Sequence, residues 1–530
     1  FVRMNPSTAE GGAIPDEFQA KNTFDRTETL GTVLLGMTLT CARCHTHKYD
    51  PIKQVEYYRL YAFFNNTAEG SMDGNRYEYA PVLKAPADGN QWRDWHALES
   101  RRNQILVEAE NALKKIHDGN SQALEQWQKS GAKERLKMVS DPNGQWKQSA
   151  LAKQAGDLAL LIAEAEKKFT TTLVAQERSQ PRVTKMLNRG EYNLPLGEAL
   201  TPGVPGILNR FPEGAPRNRL GLAKWMTSRE QPLVSRVLVN RVWQRVFGHG
   251  LVRTPEDFGV QGEQPTHPRL LDWLAVELQE SQWNLKHVLR LMVHSKTFKQ
   301  DSRWREGLND PENRLFARGQ NYRMDAEMLR DVALWASGLL VPAKGGEGAK
   351  PYQPKGMWTA LMHPGSNTKN YVQDKGDRLY RRSIYTYWKR TSPHPMMTLF
   401  DAPDRESSCV KRSRSNTALQ SLGLLNETQR IEMSRKLAER LLSLKVDDAK
   451  RLDYLFGLLA CRKPSDTEKK TCMNLLQKMD RRYGGSEKDA VALLGSGDAP
   501  RDDSYPPGKL AAWTQLAATV LASDIAILVY

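Results

Sequence analysis

A chain of 530 residues with 13 Trp, 17 Tyr and 13 Phe can bury a large core in two or more domains, which excludes a disordered protein. Its net charge of +16 and pI of about 9.4 favour acidic partners. No apolar run reaches the roughly 20 residues of a membrane span, and no zinc-finger spacing or RNA-recognition core points to nucleic acid.

The chain begins at Phe1 in what reads as the middle of a domain, so a piece of a longer protein is expected. Residues 1–91 are expected to form the first unit. Leu30, Val33, Leu34 and Met37 recur at helical spacing and lead into TCARCHTHKYDP, residues 40–51. Here Asp50-Pro51 reads as a helix start, with Asp as cap and Pro in the first turn. The helix that follows carries Tyr57, Tyr61 and Phe64 on one side, a spacing that core packing explains.

Residues 92–178 show two heptad-like seams. Leu98, Ile105, Ala109, Ala112 and Ile116 form one, and Leu151, Ala155, Leu158, Ile162, Ala165 and Phe169 the other. An inserted antiparallel helical hairpin is expected, with a polar linker between its arms. Residues 179–216 are rich in Pro and Gly and read as an irregular, partly extended connector. From 217 to 530 the pattern is helical again, with a Thr266 cap before THPRLLDWLAVELQES and long loops over 340–415. The apolar C-terminus is interrupted by Gln515, Ser523 and Asp524, and reads as a core helix. The fold class is therefore mainly α and multi-domain.

The chemistry concentrates in Cys41, Cys44 and His45. C-x-x-C-H is the spacing at which two thiols bond covalently to haem while the adjacent imidazole reaches iron. The alternatives are zinc or another bare metal on Cys41, Cys44, His45 and His47, or a disulfide. Only this pair among the five cysteines has motif spacing, so no disulfide framework is expected. A six-coordinate haem needs a second axial ligand. His47 lies too close to His45 in sequence to reach the opposite face. Met37, His363 and above all His394, Met396 and Met397 in SPHPMMTLFDAP are the other candidates.

His287 and His294, seven apart, lack a carboxylate or Cys partner nearby in sequence and read as surface or core histidines. Asp325, Glu327, Arg330 and Asp331 are expected to pair with Arg314, Arg318 or Arg323. Arg381, Arg382, Lys389 and Arg390, interleaved with Tyr385, Tyr387 and Trp388, read as a salt-bridge network or as a grip on an anionic sugar. No Gly-rich phosphate loop and no G-x-S-x-G elbow occurs.

CARCHTHKYDPIKQVEYYRLYAFFNNT resembles the planctomycete cytochrome c-like (PSCyt-type) domain. The stretch from NRLGLAKWM to WLAVE resembles the partner domain that follows it, as do NRLFARGQNYRMDAEMLRD and YRRSIYTYWKRTSPHPMMTLFDAPDRESSCVKRSRSNTALQSL. Ser415 and Ala418 depart from the Thr and Pro of the family pattern, which puts only the local turn in question. The resemblance implies an exported, extracytoplasmic protein with one covalent haem c on Cys41, Cys44 and His45. It further implies electron transfer or haem-linked oxidation, with a redox protein or acidic glycan as partner, in polysaccharide-degrading bacteria. The rival reading is a non-redox protein whose cysteine cluster holds zinc or a disulfide and whose basic aromatic loops bind an anionic polymer.

Overall fold

The structure is a computed structural model that describes residues 1–5, 12–72, 80–116, 122–361 and 368–529. It is mainly α, with small antiparallel strand pairs. The chain divides into two compact units. One comprises Phe1–Tyr77, Glu177–Pro342 and Ala349–Tyr530, and the other Glu78–Gln176 with Ala343–Gly348. The expected N-terminal domain thus shares a unit with the helical C-terminal part.

Helix α1 (Pro15–Leu30) runs into a π-helical turn, Gly31–Leu35, which ends at Gly36. Gly36 has φ of 60°, and a Cβ there would lie 2.7 Å from Phe258 and 2.9 Å from Val237, so only glycine fits this crossing. A 3-10 turn, Leu39–Arg43, carries the first cysteine. Helix α2 (Gln54–Ala62) starts three residues after the Asp50-Pro51 pair, and Glu56 accepts from the Lys53 N–H at 2.8 Å. Asp50 is not its cap. Tyr57, Tyr58, Tyr61, Phe63 and Phe64 are buried together with Phe24, as core packing predicts.

The inserted unit is more than a hairpin. Strand β1 (Val82–Ala85) leads to α3 (Gly89–Ile116), α4 (Gln122–Lys129), α5 (Ala132–Ser140), α6 (Ala150–Lys167) and strand β2 (Thr170–Leu173), which pairs antiparallel with β1. The long helices α3 and α6 pack through Ile105, Ala109, Ala155, Leu158 and Ile162. The segment read as a polar linker adds Trp127, Leu136, Val139 and Trp146 to that core. Four well-spaced apolar side chains suffice to dock two short helices, even in polar company.

The Pro/Gly-rich connector forms a hairpin of β3 (Thr184–Leu187) and β4 (Pro195–Leu200). Helices α7 (Arg219–Met226), α8 (Val234–Phe247), α9 (Pro268–Glu280) and α10 (Leu285–His294) follow. Asn218 caps α7 through Oδ1, which accepts from Leu220 and Gly221. His267, not Thr266, stands at the α9 cap position, while Thr266 donates from N and Oγ1 to the Leu251 carbonyl. His287 pairs with Glu277 at 2.9 Å, a partner one helix away that local sequence does not reveal.

The C-terminal core joins α11 (Ala326–Ser337) to α15 (Thr428–Leu442), α16 (Asp448–Ala460), α17 (Asp466–Gly484), α18 (Glu487–Leu494) and α19 (Pro507–Leu521). The short α12 (Met357–Leu361), α13 (Pro395–Leu399) and α14 (Ala418–Asn426) lie in the loop-rich stretch between. α19 is buried around Trp513 and Leu516, the core helix its interrupted apolar pattern predicts. Among the described residues no helix is long and apolar enough to cross a membrane.

Candidate functional site

The cysteine motif divides into an exposed half and a buried half. Leu39 and Ala42 anchor the 3-10 turn in the core, while Cys41 and Cys44 are free and exposed. Cys44 stands three residues on at the end of that turn, where its N–H donates to the Cys41 carbonyl at 3.3 Å. The Arg43 carbonyl between them is held by Tyr58 Oη at 2.9 Å and Gln54 Nε2 at 3.2 Å. The Arg43 guanidinium lies over Phe24 and 3.5 Å from Glu28. Glu28 also accepts from Tyr57 at 3.0 Å and Thr40 at 3.2 Å. Burial pushes the Glu28 carboxyl above its ordinary range, with Arg43 pulling it back.

Cys44 Sγ donates to the Arg189 carbonyl at 3.2 Å. Arg189 and Gly190 both have positive φ, 50° and 78°, in the turn between β3 and β4. His45 is exposed, and its Nδ1 lies 2.7 Å from the Thr46 carbonyl. A carbonyl only accepts, so Nδ1 carries the proton and the lone pair is on Nε2. This is the arrangement by which a backbone carbonyl fixes a metal-binding imidazole.

His47 and Asp50 do something else. His47 Nδ1 accepts from the backbone N–H of Asp50 at 2.8 Å and of Tyr49 at 3.3 Å, which puts its proton on the buried Nε2. Asp50 Oδ2, 3.6 Å from Nδ1, therefore faces an acceptor and makes no ion pair with it. Asp50 Oδ1 instead accepts from Val260 N at 2.8 Å. A Cβ at Gly259 would come within 2.4 Å of the same oxygen. The second half of the motif is a clip onto the loop over residues 254–262.

Two thiols and one imidazole on a single anchored surface turn fit covalent haem attachment and one axial bond. The segments that meet the motif carry exposed apolar side chains: Leu194 and Leu196 on the hairpin that bears Arg189, Val260 on the clipped loop, and Tyr49 in the motif itself. The zinc set fits less well, because His47 is buried and turned to backbone while Cys41, Cys44 and His45 are exposed. Among the described residues no three His, Cys, Asp or Glu side chains are grouped to hold a bare metal ion.

The candidate second axial ligands lie elsewhere. His394, Met396 and Met397 border a cavity of about 30 Å³ beside Arg330, Glu427 and Arg430, enough for a water or two but not for a porphyrin edge. Met397 belongs to a hydrophobic cluster with Phe400 and Leu424, distinct from the one under the cysteine turn. Burial pulls the His394 imidazole down to about 4, with Arg330 adding to the effect. Met37 is buried in the core under the turn. His363 lies outside the described residues.

The acidic residues of α11 take partners that sequence proximity did not suggest. Asp325 pairs with Arg245, Glu327 with Arg412 and Asp331 with Arg382. Of the expected partners, Arg314 pairs with Glu263 and Arg323 with Asp401, while Arg318 lies over Trp304. The basic and aromatic side chains of the loops largely answer one another. Arg381 lies 4.0 Å from the Tyr385 ring centroid, Lys389 4.3 Å from that of Trp358 and Arg405 4.6 Å from that of Trp388. Ser415, where the family pattern has Thr, closes its turn by donating from N and Oγ to Asp401.

Residues 1–69 match the model of PSCyt2, a protein of unknown function (DUF1549), and residues 218–476 that of PSD1, a protein of unknown function (DUF1553). The chain joins a PSCyt-type domain to its partner domain. No curated protein and no solved structure matches it. The exposed thiols and His45 belong to the PSCyt2 segment, and the loop gripped by Asp50 belongs to PSD1. The clip therefore fastens one family segment to the other. Arg189, whose carbonyl accepts from Cys44, comes from neither, and lies in the stretch whose Pro/Gly density reads as an irregular connector.

Proposed function

We propose that this chain is an exported c-type haem protein acting in electron transfer or haem-linked oxidation, in the setting of polysaccharide breakdown. The observation that carries this reading is the single surface turn that presents the Cys41 and Cys44 thiols with a His45 Nε2 lone pair. Attachment would add each S–H across a haem vinyl group, forming a carbon–sulfur bond and placing the hydrogen on the neighbouring carbon, with no net oxidation. His45 would bind the iron, and the haem when bound supplies one-electron redox chemistry. The chain's own residues hold this geometry. The Thr46 carbonyl fixes the imidazole, Tyr58 and Gln54 fix the backbone between the thiols, and Arg189 aims Cys44. The positive net charge favours an acidic redox protein or acidic glycan as partner.

The test is the chain exported in a host with a c-type haem maturation system, beside Cys41→Ala. The substitution is expected to abolish haem that survives denaturation. Far-UV dichroism should stay unchanged, because Cys41 is exposed, while Leu39 and Ala42 are the residues that anchor its turn. Equal covalent haem in Cys41→Ala overturns the assignment. A colourless wild type whose two thiols are oxidised together points instead to a dithiol–disulfide site.

A further inference from the structure

A second constellation lies in the PSD1 segment. Helix α8 ends at Gly248, and its last turn carries Arg245, whose carbonyl accepts from Tyr322 Oη at 3.1 Å. Arg253 follows in the next loop. Some 160 residues later the extended stretch after Cys409 brings Lys411, Arg412 and Arg414 to the same place. The five cations border one open cleft of about 110 Å³, several times what a single water requires.

Their charges are only partly answered. Arg253 pairs with Glu312 at 3.0 Å, and Arg412 makes a two-pronged contact with Glu327 at 2.5 and 3.0 Å. Asp325 takes Arg245 at 2.5 Å and stands farther from Arg412, at 3.5 Å, and Arg414, at 3.8 Å. Lys411 Nζ donates to the Arg253 carbonyl at 3.4 Å and pairs with no carboxylate among the described residues. Among the described residues three carboxylates thus face the five cations, which leaves two positive charges at the cleft. Two further polar groups on its wall, His249 Nε2 and Gln244 Oε1, are buried and have no hydrogen-bond partner among the described residues. His249 stacks on Phe316 at 4.7 Å, which fixes its ring. Burial, helped by Arg253, holds its imidazole below the ordinary range.

We propose that this cleft is a binding site for a tetrahedral oxyanion, the phospho or sulfo group of a larger ligand. Two surplus charges match a doubly charged group or one that brings a second anion beside it. Cations from two chain segments border the cleft, and a tetrahedral group, whose oxygens accept from several directions, can answer both segments at once. The site stands independently of the haem reading, since its lining includes none of Cys41, Cys44 and His45 and none of the residues that hold them.

The experiment is calorimetric titration of the whole chain with inorganic phosphate, inorganic sulfate and acetate at one low, fixed ionic strength. Lys411→Ala and Arg414→Ala are the test variants, because both residues are exposed; Arg414 also lies over the Tyr322 ring at 4.2 Å, so Lys411→Ala is the variant that removes charge alone. Arg303→Ala, an exposed arginine paired with Asp301 and outside the cleft, removes the same charge as a control. Saturable phosphate or sulfate binding is expected, weakened about tenfold by each test variant and less than about twofold by the control. Absence of saturable binding, equal weakening by Arg303→Ala, or acetate binding as tight as sulfate would overturn the proposal. Glucose 6-phosphate and glucose 6-sulfate, titrated in parallel, identify which group the site prefers.

Discussion

Arg330→Met is expected to cost the C-terminal core about 3–5 kcal/mol, read as a lower urea midpoint and melting temperature. Arg330 sits on α11 with only 8% of its surface exposed. Its Nε donates to Gln429 Oε1 at 2.7 Å, Nη1 to the Arg381 carbonyl at 2.8 Å and Ser383 Oγ at 3.1 Å, and Nη2 to the Leu379 carbonyl at 2.7 Å. One guanidinium thereby pins the irregular chain over residues 379–383 between α11 and α15. Methionine fills much of the volume but donates nothing. The Arg381 carbonyl then loses a buried donor, and Leu379 keeps only the Gln429 amide, at 3.2 Å. Asp331, which accepts from Ser383 N at 2.7 Å, holds the segment on one side alone. Arg330→Lys should not rescue, because an ammonium cannot span four acceptors fixed by a planar fork. A loss below about 1 kcal/mol in Arg330→Met would show that the loop is held by something else.

Asp50→Ala is the second large effect, about 2–4 kcal/mol, and it is local. The buried carboxylate is the acceptor for Val260 N, so its removal strands that N–H and opens space beside Gly259. Amide exchange at Val260 should accelerate by the corresponding factor, while exchange in α16 and α17 stays as it was. Asp50→Asn keeps an oxygen acceptor and should lose less than half as much. Gly259→Ala alone drives a Cβ against Asp50 Oδ1, and in the Asp50→Ala background that collision is gone. The pair should therefore be less than additive. Unchanged Val260 exchange in Asp50→Ala would remove the clip from the account.

What could be read from the sequence was whatever acts over a few residues. The helical periods, the aromatic core face of α2 and the buried C-terminal helix rest on local pattern and are present in the structure, and the two-domain resemblance, equally local, is matched by the two family models. The Asp50-Pro51 pair shows where such reading fails. Asp before Pro is a sound cap signal, but the carboxylate is taken by Val260, some 210 residues on, and α2 starts without it. The inserted unit fails in a milder way. Its seams were visible, yet the polar composition around Trp127, Leu136 and Trp146 hid two helices that only tertiary packing makes stable. At the candidate site, Cys41, Cys44 and His45 were legible as chemistry, whereas Arg189 and the Thr46 carbonyl that orient them were not, since a backbone acceptor leaves no mark on residue identity. The basic cleft is the extreme case. Arg245 and Arg253 lie more than 150 residues from Lys411, Arg412 and Arg414, and no local window contains both.

The haem assignment is tested most directly by an absorption spectrum of the exported chain, oxidised and then reduced with dithionite, with a haem stain on the denatured gel. A Soret band, sharp bands on reduction and haem that stays with the unfolded polypeptide are the expected result. A colourless protein that takes no stain, from a host that matures c-type cytochromes, would contradict it.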